Sequence, residues 1–316
     1  MGKHQDVIPD RTIALGPEAV PEQFHIHKMR VKIADFVFDL SSGTPSKTFF
    51  LEDIYKEFSC TEPPDIFTRG HYYKIPDITL REENKVFKSN IYWDVYRING
   101  HPIFSLRLSG RRSEPYCISV FSPDFLIGDT YFLFRSPGKK PDDPLPNPLK
   151  FPLFHLLMIS LLAQGHGVLI HACGIDDNGK GLLFTGSPSH GKTTIARLWK
   201  KDAVVLNDER IVLRKNNGRL YIYGTPWHGD YEKVAPHGVP LKTAYFLRRA
   251  KTNKIEQLRG TEAVSKLLSH CFFPYWEKEG MHFVLDFCDK VVQSIPCYEL
   301  GFIRNKKIVE FLRSAK

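Results

Sequence analysis

Hydrophobic and polar positions change their period partway along the chain. Across Met29–Phe38, Asn90–Ile98 and Ile103–Leu108 apolar side chains alternate with polar ones, and Tyr116–Phe121 and Tyr131–Phe134 continue the pattern. A period of two is that of a strand with one face buried. Asn99-Gly100, between two of these runs, is a hairpin signal, because both residues tolerate the positive φ that a two-residue turn demands. Residues 25–135 therefore read as a small, mainly antiparallel β domain behind a polar leader over 1–24. Ser136–Pro148 holds five prolines in thirteen residues, which excludes helix and predicts an extended linker.

Beyond the linker the pattern becomes mixed. Phe151–Ala163 is an apolar run of thirteen residues, read as a buried helix and too short to cross a bilayer. Gly167–Cys173 and Gly181–Thr185 are short apolar strands around Asp176-Asp177-Asn178-Gly179, another hairpin signal. Lys192–Lys200 reads as a helix and Ala203–Leu206 as a short buried strand. Ile211–Arg214 and Leu220–Tyr223 form a second hairpin around Asn217-Gly218. Thr243–Leu247 and Cys297–Gly301 read as strands. Helices are predicted over Thr261–Cys271, with Thr261 as N-cap, over 276–289 and over Ile308–Arg313. Strands and helices interleaved in this way make residues 149–316 an α/β (α+β) domain with a mixed sheet.

Candidate chemistry concentrates in that domain. Gly186-Ser187-Pro188-Ser189-His190-Gly191-Lys192-Thr193-Thr194 fits G-x-x-x-x-G-K-[ST] and runs from a strand directly into a helix. In that setting backbone N–H groups and the helix N-terminus favour phosphate, the Lys reaches the β/γ-phosphates, and the first hydroxyl, Thr193, holds Mg²⁺. Thr194 reads as a helix-start residue. Asn207-Asp208-Glu209 follows about fifteen residues later at a strand end. Alone it would be a solvated turn, but beside a phosphate loop its two carboxylates are placed to take Mg²⁺ or a hydroxyl proton. His171 sits on a predicted buried strand, where a lone His is ordinarily a satisfied core residue, and His166 reads as structural. Pro226-Trp227-His228-Gly229 reads either as a substrate rim or as a packed turn. Arg248 or Arg249, after a strand, is a candidate for stabilising phosphate charge.

His171, Gly186, Gly191, Lys192, Thr193, Thr194, Asp208 and Glu209 occur in this order, with His171 fifteen residues before Gly186. The order resembles that of the phosphoenolpyruvate-carboxykinase-like (PEPCK-like) P-loop kinases. Within them it is similar to the HPr kinase/phosphorylase group and related serine kinases of peptide-modification clusters. The resemblance covers roughly residues 150–316. It implies an ATP- and Mg²⁺-dependent kinase whose acceptor is a Ser hydroxyl of a protein or peptide, the 25–135 domain choosing or presenting the substrate. It also implies that His171 faces the γ-phosphate, Asp208 accepts the hydroxyl proton, Glu209 helps hold the metal, and residues 186–194 bind the nucleotide. A small-molecule kinase of the same fold is the alternative, and a nucleotide-binding regulatory module whose chemistry has lapsed is a second. The chain departs from the family at Ser189, where glycine is usual, and at His190, where a small residue is usual. Glycine admits positive φ and close approach to phosphate.

Composition adds limits on partners. Net charge is +9 and the pI about 9.1, which suits an anionic ligand. No nucleic-acid-binding signature accompanies it, so nucleic acid is not expected, nor is a membrane. Six scattered cysteines without metal-ligand spacing predict reduced thiols and a cytoplasmic protein. The N-terminus carries no apolar signal core, and a homo-oligomer stays open.

Overall fold

The computed structural model describes residues 28–44, 48–74, 76–89, 92–107, 114–133 and 145–315. The predicted leader over 1–24, Phe134 and the linker residues 136–144 lie outside them.

The N-terminal half is built of strands: β1 (Lys28–Ile33), β2 (Phe36–Ser42), β3 (Phe49–Phe50), β4 (Ile66–Tyr72), β5 (Lys85–Lys88), β6 (Trp93–Ile98), β7 (His101–Leu106), β8 (Cys117–Phe121), β9 (Ile127–Phe132) and β10 (Leu145–Pro146). The alternating run Met29–Phe38 is therefore two strands and not one. Ala34 and Asp35, at φ 51° and 63°, turn the chain between β1 and β2. Asp35 tolerates this conformation but Ala34 does not favour it, and with no Gly, Asn or Pro at the turn the alternation runs across it unbroken. Asn99-Gly100 turns β6 into β7 with φ 49° and 80°, as its sequence predicts.

The C-terminal half contains α1 (Leu153–Leu161), β11 (Gly167–Asp177), β12 (Lys180–Thr185), α2 (Lys192–Trp199), β13 (Val204–Asn207), β14 (Arg210–Asn216), β15 (Arg219–Tyr223), β16 (Gly238–Arg249), β17 (Lys254–Leu258), α3 (Gly260–Leu268), α4 (Lys278–Ser294), β18 (Cys297–Phe302) and α5 (Lys307–Ser314). Sequence patterning placed most of these within a few residues. It missed β17, whose side chains are largely exposed. It also misplaced the cap of α3: the N-cap is Arg259, makes no side-chain cap bond, and leaves Thr261 inside the first turn. Among the described residues no helix is long and apolar enough to cross a membrane.

By internal packing the chain divides into two units, each discontinuous in sequence. One takes Ser41–Phe49 and Phe67–Pro148 in their described parts; the other takes Lys28–Leu40, Phe50–Ile66 and Leu149–Lys316. The first unit is a sheet in the order β4-β9-β8-β7-β6-β5, antiparallel except for the parallel pair β4–β9. Its buried Asp129 is held by Arg69 at 2.9 Å and His71 at 2.7 Å.

The second unit is mixed α/β. Its long strands β11 and β16 each serve two sheets. The first part of β11 pairs with β14, which continues to β15 and the start of β16, all antiparallel. The second part of β11 pairs antiparallel with β12 and β13, and β12 then runs parallel to the middle of β16. β16 continues parallel to β18, and β17 closes that edge antiparallel. Val168, Ile170, Leu183, Ile211, Leu213 and Ile222 are buried between these sheets and helices α3 and α4. A second cluster, with Cys173, Phe184, Ile195, Trp199 and Tyr245, lies under α2 and α5. The β1–β2 turn belongs to this unit through side chains: Tyr223 donates to Asp35 at 2.6 Å, Arg214 donates to the Ala34 carbonyl, and the Arg214 guanidinium lies 4.1 Å from the Phe36 ring centroid.

Candidate functional site

The candidate residues gather where β12 and β13 end, beside the middle of β11. Asn178-Gly179, at φ 54° and 80°, returns β11 into β12, and the register sets Ala172 opposite Thr185. Thr185 donates its hydroxyl to the His171 carbonyl at 3.0 Å, so the last residue of β12 is tied to the strand that carries His171. The chain then enters Gly186 and reaches α2 at Lys192.

Two glycines in the loop sit where a side chain would crowd its neighbours, and Gly191 has in addition a φ that favours glycine. A Cβ on Gly186 would sit 3.1 Å from both Leu247 Cβ and the Leu247 carbonyl oxygen. Gly191 has φ 110°, and its Cβ would meet Phe302 at 2.9 Å. Between them Ser187, Pro188 and Ser189 are exposed, and Ser189 has φ 64°. His190, the other departure from the family pattern, is turned inward: its Nδ1–H donates to the Leu247 carbonyl at 2.9 Å.

Lys192 opens α2 and is 7% exposed. Its ammonium donates to the Gly186 carbonyl at 2.9 Å, and among the described residues no carboxylate pairs with it. Burial pulls its pKa down, and the charges of Glu209, Cys173 and Asp208 pull the other way. Thr193 follows and donates to Asp208 Oδ2 at 2.8 Å; Thr194 completes the first turn.

Asp208 is 1% exposed. Besides Thr193, it accepts the N–H of Gly229 at 2.7 Å and of Tyr231 at 3.2 Å. Glycine leaves room for this approach, since a Cβ on Gly229 would lie 3.1 Å from Asp208 Oδ2. Glu209 points to the other side. His171 Nε2 lies 3.0 Å from one of its carboxylate oxygens, and Arg210 donates to the other at 2.8 Å. The hydrogen bond from His171, joined by Arg210 and opposed by burial, holds the Glu209 carboxyl down to about 2.

The structure thus forms two side-chain pairs, Thr193–Asp208 and His171–Glu209, on adjoining residues 208 and 209. Residues that sequence reasoning did not single out complete the frame. Asn207 Oδ1 accepts the N–H groups of Glu209 and Arg210 at 2.6 and 2.8 Å, and its amide donates to the Thr225 carbonyl. Thr225 donates back to the Arg210 carbonyl at 2.8 Å. The signal was present in Asn207, a side chain that caps its own turn, and in the turn-rich segment 224–230. Trp227 is packed: its indole N–H donates to Tyr55 at 3.0 Å, and its ring meets Phe154 and His155. His166 meets the edge of Phe36. Arg249 donates to Ser189 Oγ at 3.0 Å, whereas Arg248 is engaged by Glu299 and Glu256.

Thr193 and Asp208 bring two oxygen donors suited to a hard cation together, while the Glu209 carboxylate is engaged by His171 and Arg210; no group of three or more His, Cys, Asp or Glu side chains among the described residues forms a metal cluster.

No protein-family model matches the chain, and no curated protein matches it. Among solved structures it is similar to the Hpr(Ser) kinase/phosphatase from Coxiella burnetii, with 11% identity, over 46% of this chain and 93% of that one, at a TM-score of 0.29. A likeness of that size assigns neither a fold nor a function to this chain.

Proposed function

We propose that the protein is an ATP- and Mg²⁺-dependent phosphotransferase that moves the γ-phosphoryl group to a hydroxyl, with residues 186–194 as a P-loop phosphate cradle. Lys192 carries the reading. An ammonium with three donors is more than nine-tenths buried and bonded to a single carbonyl, with no carboxylate in direct contact among the described residues. Burying an unpaired charge is costly, and a phosphate in the loop would offset it. The first N–H groups of α2 beside it have no partner within the helix and favour the same anion.

Bound Mg²⁺ would neutralise charge on the β- and γ-phosphate oxygens, held by Thr193 with Asp208 and Glu209. Of the two acids, Asp208 is the acceptor of the substrate hydroxyl's proton. Glu209, held ionised to about 2, is too weak a base and suits a metal ligand that also orients His171. The hairpin that carries His171 into the loop and the closeness of Asp208 support the PEPCK-like, HPr-kinase-like arrangement of this unit. The acceptor in this reading is a protein or peptide Ser, with a small hydroxylated molecule as the alternative.

Calorimetry with MgADP and transfer from labelled ATP to peptides and polyols test the reading. Lys192→Ala is expected to weaken nucleotide binding by roughly tenfold to a hundredfold, the worth of a charge-assisted contact. Asp208→Asn should abolish transfer. Wild-type protein that binds no nucleotide would overturn the proposal, and tight binding without transfer to any acceptor would favour the lapsed module.

A further inference from the structure

Ser187–His190 is a turn closed by the His190 N–H donating to the Ser187 carbonyl at 3.1 Å. Proline at its second position and φ 64° at its third make it a type II turn. That third position belongs to glycine, since an L side chain at positive φ crowds its own carbonyl. Here it holds Ser189. Two arginines reach this residue from different parts of the second unit. Arg249, at the end of β16, donates to Ser189 Oγ at 3.0 Å, and Arg304, just beyond β18, donates to its carbonyl at 3.0 Å. Both arginines are exposed residues, and the hydrogen bonds found for them go to Ser189 and not to a carboxylate.

We propose that Arg249 and Arg304 are positioning residues that clamp Ser189 in its left-handed conformation and so preset the phosphate loop, a job that glycine does without help in loops of this kind. The inference rests on the nucleotide reading for its consequence, though not for the clamp itself. One arginine holds the side chain and the other the backbone, so Ser189 cannot relax to negative φ without breaking both bonds. Relaxation would swing the His190 N–H off Ser187 and redirect the amides at the mouth of the loop. The rival is that the arginines serve as phosphate contacts, with Ser189 merely a neighbour.

The two accounts part when Ser189 is replaced by glycine. Amide exchange of His190 in nucleotide-free protein reads the turn directly, and calorimetry with MgADP reads the loop's affinity. Arg249→Ala and Arg304→Ala are each expected to speed His190 exchange and to weaken MgADP by roughly tenfold, the cost of a non-glycine residue at positive φ. In the Ser189→Gly background the same replacements should change neither quantity by more than about twofold. Arg304→Lys, which keeps a single donor, should fall between. Exchange at His190 that ignores both arginines, or a loss of affinity that persists in the glycine background, would overturn the clamp. If wild-type protein binds no nucleotide, the nucleotide reading fails and the exchange data still decide the clamp.

Discussion

At the scale of single residues, the site is governed by where charge is buried and what answers it. Asp208 is sealed from water yet accepts three hydrogen bonds, so its place is stable without any ligand. Lys192 is nearly as buried and donates to one carbonyl, its charge opposed by burial and favoured by Glu209 and Asp208 without a direct ion pair. Glu209 lies between, its ionised form favoured by His171 and Arg210. A carboxyl held below its ordinary range adds stability at pH values above that range and loses it as pH falls toward about 2. Removing the largest cause reverses the shift. His171→Ala is therefore expected to raise the Glu209 pKa toward the usual carboxylate range, moving the acid limb of Mg²⁺-nucleotide binding to higher pH. A carbon-detected NMR titration of the Glu209 carboxyl checks the sign. An unmoved carboxyl would show that Arg210 alone holds it.

At the scale of elements, period and turn chemistry were readable where one residue type dominates a local choice. Asn99-Gly100, Asn178-Gly179 and Asn217-Gly218 all turn with positive φ at both positions. Ala34-Asp35 adopts the same conformation without the Asn-Gly pair, held by Arg214 and Tyr223 from β14 and β15. Nothing local announced it. Helix α2 was legible for a different reason: Ile195, Ala196 and Trp199 line one face behind the loop. Trp199 is fully buried in the cluster with Phe184, and the Arg313 guanidinium lies 5.3 Å from its ring. Trp199→Ala should cost about 3–5 kcal/mol of stability in denaturant unfolding, the range for deleting a large core aromatic. A change below about 1 kcal/mol would mean that α2 is not anchored by this residue.

At the scale of the whole molecule, the second unit is not the C-terminal half alone. Phe38 packs its ring 4.9 Å from Phe154, and Tyr55 stacks on Phe154 while holding Trp227. Lys28–Leu40 and Phe50–Ile66 thus supply part of the unit's own core. A chain shortened to residues 149–316 is expected to melt at lower temperature than the full chain, or to aggregate, with raised dye binding to the uncovered Phe154 and Trp227. An unchanged thermal transition would show that these segments are dispensable.

What the sequence determined by itself is local: the hairpins around Asn-Gly pairs, the glycine loop that opens a helix, and an acidic pair soon after it. Each follows from φ preferences or from spacing along one short stretch. Tertiary structure alone decided which partners those residues found. It brought Thr193 onto Asp208 and His171 onto Glu209, put two arginines on Ser189, and drew segments before residue 67 into the second unit. Such pairings depend on how distant strands register and pack, and no periodicity along the chain encodes the distance between residues that are far apart in it.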